Sequence, residues 1–225
     1  MKLQDAKRIA WEVIEGMAPG CERIVYAGSL RREKPEVKDL EIVYIPRMVP
    51  KQVDLFTTDL IPATEELIAD LVERRLWLYD DVVRRNGPKY KRMMHAHTGF
   101  TIELYRAQAD NWGLILALRT GPAEFNHWLV KRMGGAMPVF MCMREGYLWR
   151  RGIRLQSPDE ETFFAQVGVP CWPPEERSKA KLIAHLKERL NRWQKREKRL
   201  NLMVQEEELG ATKVEAVAPY RTSPL

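Results

Sequence analysis

Apolar residues at the start of the chain recur every three or four positions, which is the spacing of one helix face. They are Leu3, Ala6, Ile9, Ala10, Val13, Ile14 and Met17. Pro19 and Gly20 come next, and both residue types end helices. The same spacing predicts a second helix over residues 62–75. Each helix is therefore expected to bury one face.

Three shorter stretches are predicted to be strands, over residues 23–27, 39–46 and 100–105. The last alternates between apolar and polar residues, as half-buried strands do, and the second contains the strand formers Leu40, Ile42 and Val43. Asp39 and Glu41 lie two positions apart, so a strand there points both carboxylates to one face. The pattern predicts an α+β fold in which a mixed sheet carries these side chains.

Beyond residue 107 the pattern becomes mostly helical. Asp110 can begin one helix, and Pro122 fits the first turn of the next. The pattern over residues 138–148 predicts a small hairpin. Ser157 and Glu160 have the spacing of a capping box, which predicts a further helix.

The 225 residues carry a net charge of +6, and this charge is unevenly distributed. Residues 178–200 hold nine Lys or Arg and two Glu, so the rest of the chain is close to neutral. A basic segment of this kind favours contact with nucleic acid phosphates. No apolar run is long enough for a membrane span or a signal peptide. The three cysteines are few and far apart, which favours a reducing, cytoplasmic location.

Asp39 and Glu41 are costly to bury side by side unless a cation neutralises them, and carboxylate oxygens suit Mg²⁺. Upstream, Gly28 and Ser29 form a turn whose backbone N–H groups and hydroxyl can bind a phosphate. Arg31 and Arg32 add positive charge next to that turn. The alternative is that the carboxylates are ordinary surface groups on a strand. The combination predicts metal-assisted nucleotidyl transfer.

These motifs resemble the nucleotidyltransferase motif of the DNA polymerase X family, the polymerase-β-like enzymes. The family pattern is Gly-Ser, a basic pair, Asp-x-Asp or Asp-x-Glu, and then a third carboxylate on a neighbouring strand. Glu103 is the third carboxylate here. Residues 118–126 resemble the family's Thr-Gly turn and following helix, and residues 157–178 resemble its closing helix and acidic end. The resemblance spans about residues 2–178 and leaves no room for the family's lyase and helix-hairpin-helix regions.

The resemblance implies a two-metal site that uses Mg²⁺ or Mn²⁺. Asp39 and Glu41 would bind both ions, while Glu103 would bind one and help to activate the primer 3′-hydroxyl. The chain departs from the best-known members by carrying Glu at two of the three positions. The extra methylene can move a carboxylate by about 1 Å, which can cost roughly 100-fold in rate.

The resemblance also implies a nucleotide site. Ser29 and Arg32 match the positions that hold the triphosphate next to Gly28, whereas Arg31 is predicted to be a surface residue. The further nucleotide-binding positions are Leu118, Arg119, Gly121 and Asn126. Asn126 would touch the minor-groove edge of the incoming base, and the alternative for it is a simple helix-face amide.

Two groups of basic residues are candidate contacts to DNA. Lys89 and Lys91 precede the third carboxylate strand, and a solvated loop is the alternative for them. In the basic segment, Leu182, Leu186, Leu190 and Trp193 form an apolar stripe. The opposite face carries Arg189, Arg192, Lys195, Arg196 and Arg199. The alternative here is a solvated helix that packs through its stripe.

The resulting prediction has three parts: a palm over residues 1–107, a mostly helical nucleotide-binding subdomain over 108–177, and a basic helix with a loosely ordered tail over 178–225. The predicted function is a small DNA polymerase that uses dNTPs on primer-template or gapped DNA. Two alternatives are a nucleotidyltransferase with another acceptor, such as RNA or a small molecule, and a catalytically weak DNA-binding protein.

Overall fold

The computed structural model of the chain describes residues 1–52, 56–80, 86–135 and 141–215. The first part of the predicted hairpin, residues 138–140, and the last ten residues of the predicted tail lie outside these ranges. Among the described residues, no helix has the length and apolar character that crossing a membrane requires.

The described helices and strands follow one another along the chain. The helices are α1 (Leu3–Met17), α2 (Gly28–Arg31), α3 (Ala63–Glu73), α4 (Trp112–Thr120), α5 (Ala123–Gly135), α6 (Glu160–Val167) and α7 (Lys179–Glu215). The strands are β1 (Cys21–Tyr26), β2 (Leu40–Pro46), β3 (Met48–Gln52), β4 (Thr58–Pro62), β5 (Trp77–Tyr79), β6 (Tyr90–His95), β7 (Thr101–Arg106), β8 (Met141–Arg144), β9 (Tyr147–Arg150) and β10 (Ile153–Leu155). The predicted first helix and the helix over residues 62–75 are confirmed.

A five-stranded sheet with the order β1-β2-β7-β6-β5 forms the centre of the first part of the chain. Strands β2 and β7 run parallel, and the other neighbouring strands run antiparallel. The predicted α+β fold with a mixed sheet is therefore confirmed. The parallel pair matters for the site, because it sets Glu41 directly opposite Glu103.

The two faces of this sheet are covered differently. On one face, Ile42 and Leu104 belong to a buried cluster that includes the apolar sides of α1 and α3. On the other face, Val43 and Tyr105 pack with Trp112 at the start of α4. Alternation puts Glu41 and Glu103 on the face of Val43 and Tyr105, so they lie on the side away from the α1–α3 core.

The segment after the sheet combines α4, α5 and α6 with a small sheet of the order β10-β9-β8. Phe125, Phe163 and Phe164 are fully buried there, and Phe164 contacts both other rings. The predicted capping box is wrong in one respect. Asp159, not Ser157, caps α6 by accepting from the Thr162 N–H.

Ser157 has different partners because the chain at this point is fixed against the start of α4. Its N–H donates to the Asp110 carbonyl, its carbonyl accepts from Gly113, and its hydroxyl donates to Gln166. These bonds leave Ser157 two positions before the cap, so the local sequence spacing was misleading.

The chain divides into two compact units, Met1–Lys179 and Ala180–Leu225. In the second unit α7 continues to Glu215, so part of the segment that was expected to be a loose tail is helical. Leu190 and Trp193 on its predicted apolar stripe are exposed. The division of the first unit near residue 107 stays a prediction.

Candidate active site

The Gly28 turn lies directly against one of the predicted carboxylates. Gly28 has a φ of 61°, and a Cβ added to it would lie 2.0 Å from Glu41 Oε2. Glycine is needed here both for the left-handed backbone and for this close approach. The Ala27 N–H also donates to the Glu41 carbonyl at 2.7 Å. The turn and strand β2 are thus fixed to each other at the site.

Two buried polar atoms at this turn have no hydrogen-bond partner in the part of the chain that the structure describes. They are Ser29 Oγ and Arg32 Nε. An unpartnered buried donor is costly, and such groups in a native fold usually have a missing partner. A phosphate oxygen accepts from both kinds of donor. This observation therefore agrees with the phosphate-binding role predicted for Ser29 and Arg32.

The three predicted carboxylates come from neighbouring segments. Glu41 and Glu103 lie opposite each other on the parallel strands β2 and β7. Asp39 lies immediately before β2, not within it as predicted, since the strand begins at Leu40. Asp39 and Glu103 raise the pKa of Glu41, and Glu103 raises the pKa of Asp39, so the three side chains lie close enough to interact.

Burial is the main reason for these shifts. Burial, together with the charges of Asp39 and Glu103, raises the pKa of Glu41 to about 7 against the opposing effect of Arg119 and Arg32. Burial and Glu103 likewise raise the pKa of Asp39, which Arg92 and Arg32 partly oppose. Burial also lowers the pKa of Arg32. A cation would relieve this accumulation of negative charge.

Glu103 is held by two tyrosines that the sequence analysis did not identify. Tyr90 donates to its Oε1 at 2.9 Å, and Tyr105 donates to its Oε2 at 2.5 Å. Arg92 lies 3.8 Å from Oε1. Tyr105 could have been found from the alternation of β7, because it lies two positions after Glu103. Tyr90 could not, since only strand register places it there.

The type of donor atom at this site fits a divalent cation, but the arrangement of the three carboxylates does not. Carboxylate oxygens are the ligands that Mg²⁺ prefers, and burial together with the neighbouring carboxylates raises the pKa values of Asp39 and Glu41, an effect that a bound cation would oppose. However, the residues that the structure describes contain no group of three or more His, Cys, Asp and Glu side chains arranged to hold a metal ion. Asp39 and Glu41 are available as donors, while both oxygens of Glu103 already accept hydrogen bonds.

Arg31 and Arg32 both reach the end of α4. Arg32 Nη1 donates to the Thr120 carbonyl at 2.6 Å, and Arg31 Nη1 donates to Thr120 Oγ1 at 2.7 Å. Arg31 also pairs with Glu160 Oε2 at 2.6 Å, and Arg177 pairs with Oε1 at 2.7 Å. The prediction that Arg31 is a surface residue is wrong. It ends the single turn of α2, where neighbouring residues do not point to opposite sides as they do in a strand.

The predicted nucleotide-binding residues surround the Thr120–Gly121 turn. Asn126 donates to the carbonyls of Leu118 and Gly121, and its own Oδ1 is buried without a partner. A Cβ on Gly121 would lie 2.2 Å from that oxygen, so this glycine allows the close approach. The role of Asn126 toward a base stays a prediction, because its N–H groups already have partners within the turn.

Arg119 points toward the carboxylates. It is exposed, and its guanidinium carbon lies 3.9 Å from the centre of the Tyr105 ring. The positive charge of Arg119 also acts to lower the pKa of Glu41. A cleft of about 710 Å³ lies beside these groups. Its lining includes Lys89, Tyr90, Glu103, Tyr105, Arg119 and Tyr147.

The candidate DNA-binding residues fall into different environments. Lys89 is exposed at the cleft, whereas Lys91 pairs with Glu65 at 2.9 Å on the α3 side of the sheet. Alternation along β6 places Lys91 on the face opposite Glu103, which corrects the expectation that both lysines act at the site. On α7, four of the predicted basic residues are exposed and Arg189 is half-buried. The exposed four are Arg192, Lys195, Arg196 and Arg199.

Comparison with known proteins supports the fold. No protein-family model matches the chain, and no curated protein matches it. Among solved structures, the chain is similar to the ternary P/T complex of Leishmania infantum polymerase beta. The TM-score is 0.61 at 15% sequence identity, over 79% of this chain and 76% of that one. The chain therefore has a polymerase-β-like fold, and its membership of the X family stays a prediction.

Proposed function

We propose that this protein is a small template-directed DNA polymerase that adds a nucleotide from a dNTP to a primer 3′-hydroxyl and fills gaps in DNA. The observation that carries the proposal is the pairing of Glu41 with Glu103 beside Asp39, next to a turn with unpartnered buried donors. Metal-assisted phosphoryl transfer needs these two features together. The polymerase-β-like fold agrees with this activity.

Asp39, Glu41 and Glu103 are the residues that would hold two Mg²⁺ or Mn²⁺ ions. When bound, the ions would supply positive charge to the attacking and leaving oxygens of the transferred phosphoryl group. Glu103 would also help to activate the primer hydroxyl. Both oxygens of Glu103 accept hydrogen bonds from phenols in this structure, and these phenols would have to give way.

The remaining groups of the site would bind and orient the nucleotide. Ser29 Oγ and Arg32 Nε would donate to triphosphate oxygens, and Gly28 lets the chain approach closely. Leu118, Arg119, Gly121 and Asn126 would border the sugar and base. The cleft beside Glu103 is lined by tyrosines and by the exposed Lys89, which suits the end of a primer.

The exposed basic residues of α7 would contact the phosphate backbone of DNA. Phosphate contacts by Lys and Arg add affinity without sequence specificity, as a gap-filling enzyme requires. The three free cysteines agree with a cytoplasmic location.

Primer extension tests the proposal. The wild-type protein should extend a primer across a one-nucleotide gap with Mg²⁺ or Mn²⁺, and less well on an open primer-template. Asp39→Asn, Glu41→Gln and Glu103→Gln should each lower extension by roughly 1,000-fold or more, and pairs should not be additive, because the residues act as a unit.

The matched control is Glu73→Gln, which removes an exposed carboxylate at the end of α3. It should leave extension unchanged. Full activity of Asp39→Asn, or extension of RNA or modification of a small molecule in preference to DNA, would contradict the proposal.

The second candidate function is a DNA-binding protein with weak catalysis. One observation favours it: the carboxylates of the described residues do not form a metal-binding group, and two tyrosines bind both oxygens of Glu103. DNA binding of normal strength together with no extension under any metal condition would support this candidate.

A further inference from the structure

Both carboxylate oxygens of Glu103 are occupied by phenol groups. Tyr90 Oη donates to Oε1 at 2.9 Å, and Tyr105 Oη donates to Oε2 at 2.5 Å. The two rings also contact each other, with their centres 5.0 Å apart. These three side chains form one unit, which we call the tyrosine clamp (Tyr90, Glu103 and Tyr105).

The clamp joins Glu103 to the strand on the other side of β7 from Glu41. Strand β7 carries Glu103 and lies between β2, which carries Glu41, and β6, which carries Tyr90. The bond to Tyr90 and the bond to Tyr105 together occupy both oxygens of Glu103. Within the described residues the three carboxylates do not form a metal-binding group, although Glu41 and Glu103 lie opposite each other.

The clamp is held from outside as well. Tyr105 is 9% exposed, and the guanidinium of Arg119 lies over its ring at 3.9 Å. Arg92 lies 3.8 Å from the oxygen that Tyr90 also contacts. The phenols are therefore not loose groups that happen to meet Glu103, and moving them requires a competing partner.

We propose that Tyr90 and Tyr105 are positioning residues that occupy both oxygens of Glu103, so that a divalent cation binds to all three carboxylates only after the clamp opens. This inference rests on the proposed function insofar as it takes the carboxylates to be a cation site. It adds that the site is closed before substrate arrives, and that two hydroxyl groups of this chain keep it closed.

Binding of Mn²⁺, measured by electron paramagnetic resonance without DNA or nucleotide, tests the inference. Only the Mn²⁺ binding that is lost in Asp39→Asn is attributed to the carboxylate site. Tyr90→Phe and Tyr105→Phe each remove one hydroxyl that competes with the cation. A hydrogen bond to a charged group is strong enough that each variant should bind Mn²⁺ about ten-fold more tightly than wild type.

The same substitutions in a Glu103→Gln background identify the route of the effect. If the tyrosines act through Glu103, neither substitution changes Mn²⁺ affinity in that background. Tyr147→Phe is the matched control, because this tyrosine lines the same cleft but donates to Gln108 and Asp110. It should leave Mn²⁺ affinity as in wild type.

Three results would overturn the inference. They are Mn²⁺ binding that is unchanged or weaker in both Tyr→Phe variants, a gain that persists with Glu103→Gln, and an equal gain with Tyr147→Phe. Failure of the proposed function is a separate outcome. A protein that extends no primer but gains Mn²⁺ affinity in the two variants supports the clamp and contradicts the polymerase.

Discussion

Arg31 and Glu160 are joined by a salt bridge of 2.6 Å, although they lie 129 positions apart in the chain. Arg31 ends the turn that carries Gly28, and Glu160 begins α6. The bond therefore links the candidate phosphate-binding turn to the segment that follows the sheet. Arg177, which is 3% exposed, pairs with the other oxygen of Glu160. This arrangement matters for stability, and it predicts a dependence on pH.

Glu160→Gln should destabilise the protein by about 2 kcal/mol at pH 7, because two charge-assisted hydrogen bonds lose their anion. Burial alone raises the pKa of Glu160, but the bonds and charges of Arg31 and Arg177 bring that pKa below its ordinary value. A lowered carboxyl pKa stabilises the fold above the unfolded value of 4.5, and this stability is lost as the pH falls through the folded value.

The difference between Glu160→Gln and wild type should therefore shrink as the pH is lowered below about 4.5. Urea unfolding at pH 7 and pH 4 measures it. Glu161→Gln is the matched control, since it removes an exposed carboxylate from the same first turn of α6. An equal loss in both variants would mean that the helix terminus, not the pair with Arg31, is responsible.

Glu41→Gln should have the opposite effect on stability when metal is removed by a chelator. Burial and the neighbouring carboxylates raise the pKa of Glu41 to about 7. A raised carboxyl pKa means that ionisation is less favourable in the folded state, so wild type loses stability from about pH 4.5 up to pH 7. Glu41→Gln removes this charge, and should be about 3 kcal/mol more stable than wild type at pH 8, because one pKa unit corresponds to about 1.4 kcal/mol.

The gain from Glu41→Gln should shrink as the pH falls and be lost below about pH 4.5, where the wild-type group becomes protonated in both states. Thermal or urea unfolding from below pH 4.5 up to pH 8 follows this change. Glu73→Gln again serves as the control and should leave the free energy of unfolding unchanged. A gain that is the same at both ends of the pH range would show that packing, not charge, is involved.

Arg32→Ala should raise the KM for dNTP and lower kcat, because a charged donor to the transferring phosphates acts in both the ground and the transition state. Each effect should be about ten-fold or more. Steady-state kinetics on gapped DNA measure them.

Arg31→Ala is the comparison for Arg32→Ala. It should lower stability through the lost bond to Glu160, with a smaller change in the KM for dNTP. Kinetic defects in the reverse order would mean that Arg31, and not Arg32, reaches the phosphates.

Neutralising the exposed basic residues of α7 should weaken DNA binding in a salt-dependent way. The variant replaces Arg192, Lys195, Arg196 and Arg199 by Gln. Each phosphate contact that is lost lowers the slope of log K against log salt by roughly 0.9 on duplex DNA, so four contacts lower it by about 3.6. Fluorescence anisotropy at several salt concentrations gives the slope.

The matched variant changes four other exposed basic residues of the first unit to Gln, which alters the net charge by the same amount. They are Arg8, Lys51, Arg74 and Arg75. This variant should keep a slope close to that of wild type. Equal slopes for both variants would assign the binding to net charge and not to α7.

Local sequence patterns predicted most of the helices and strands, including the strands on which Glu41 and Glu103 lie. Helical spacing gave α1 and α3, and alternation gave the strands that carry Glu41 and Glu103, because the two periods depend only on local geometry. The turn at Gly28 was also predicted from local sequence, and its left-handed φ is a local property, whereas the approach of Glu41 is a tertiary contact.

The tertiary structure alone decided which groups those residues meet. Tyr90 reaches Glu103 only because β6 pairs with β7, and Arg31 reaches Glu160 only because distant segments come together. Lys91 turned out to face α3 for the same reason. Periodicity records which face a residue takes, but contacts between strands and helices depend on pairing and packing across many positions, which no local pattern contains.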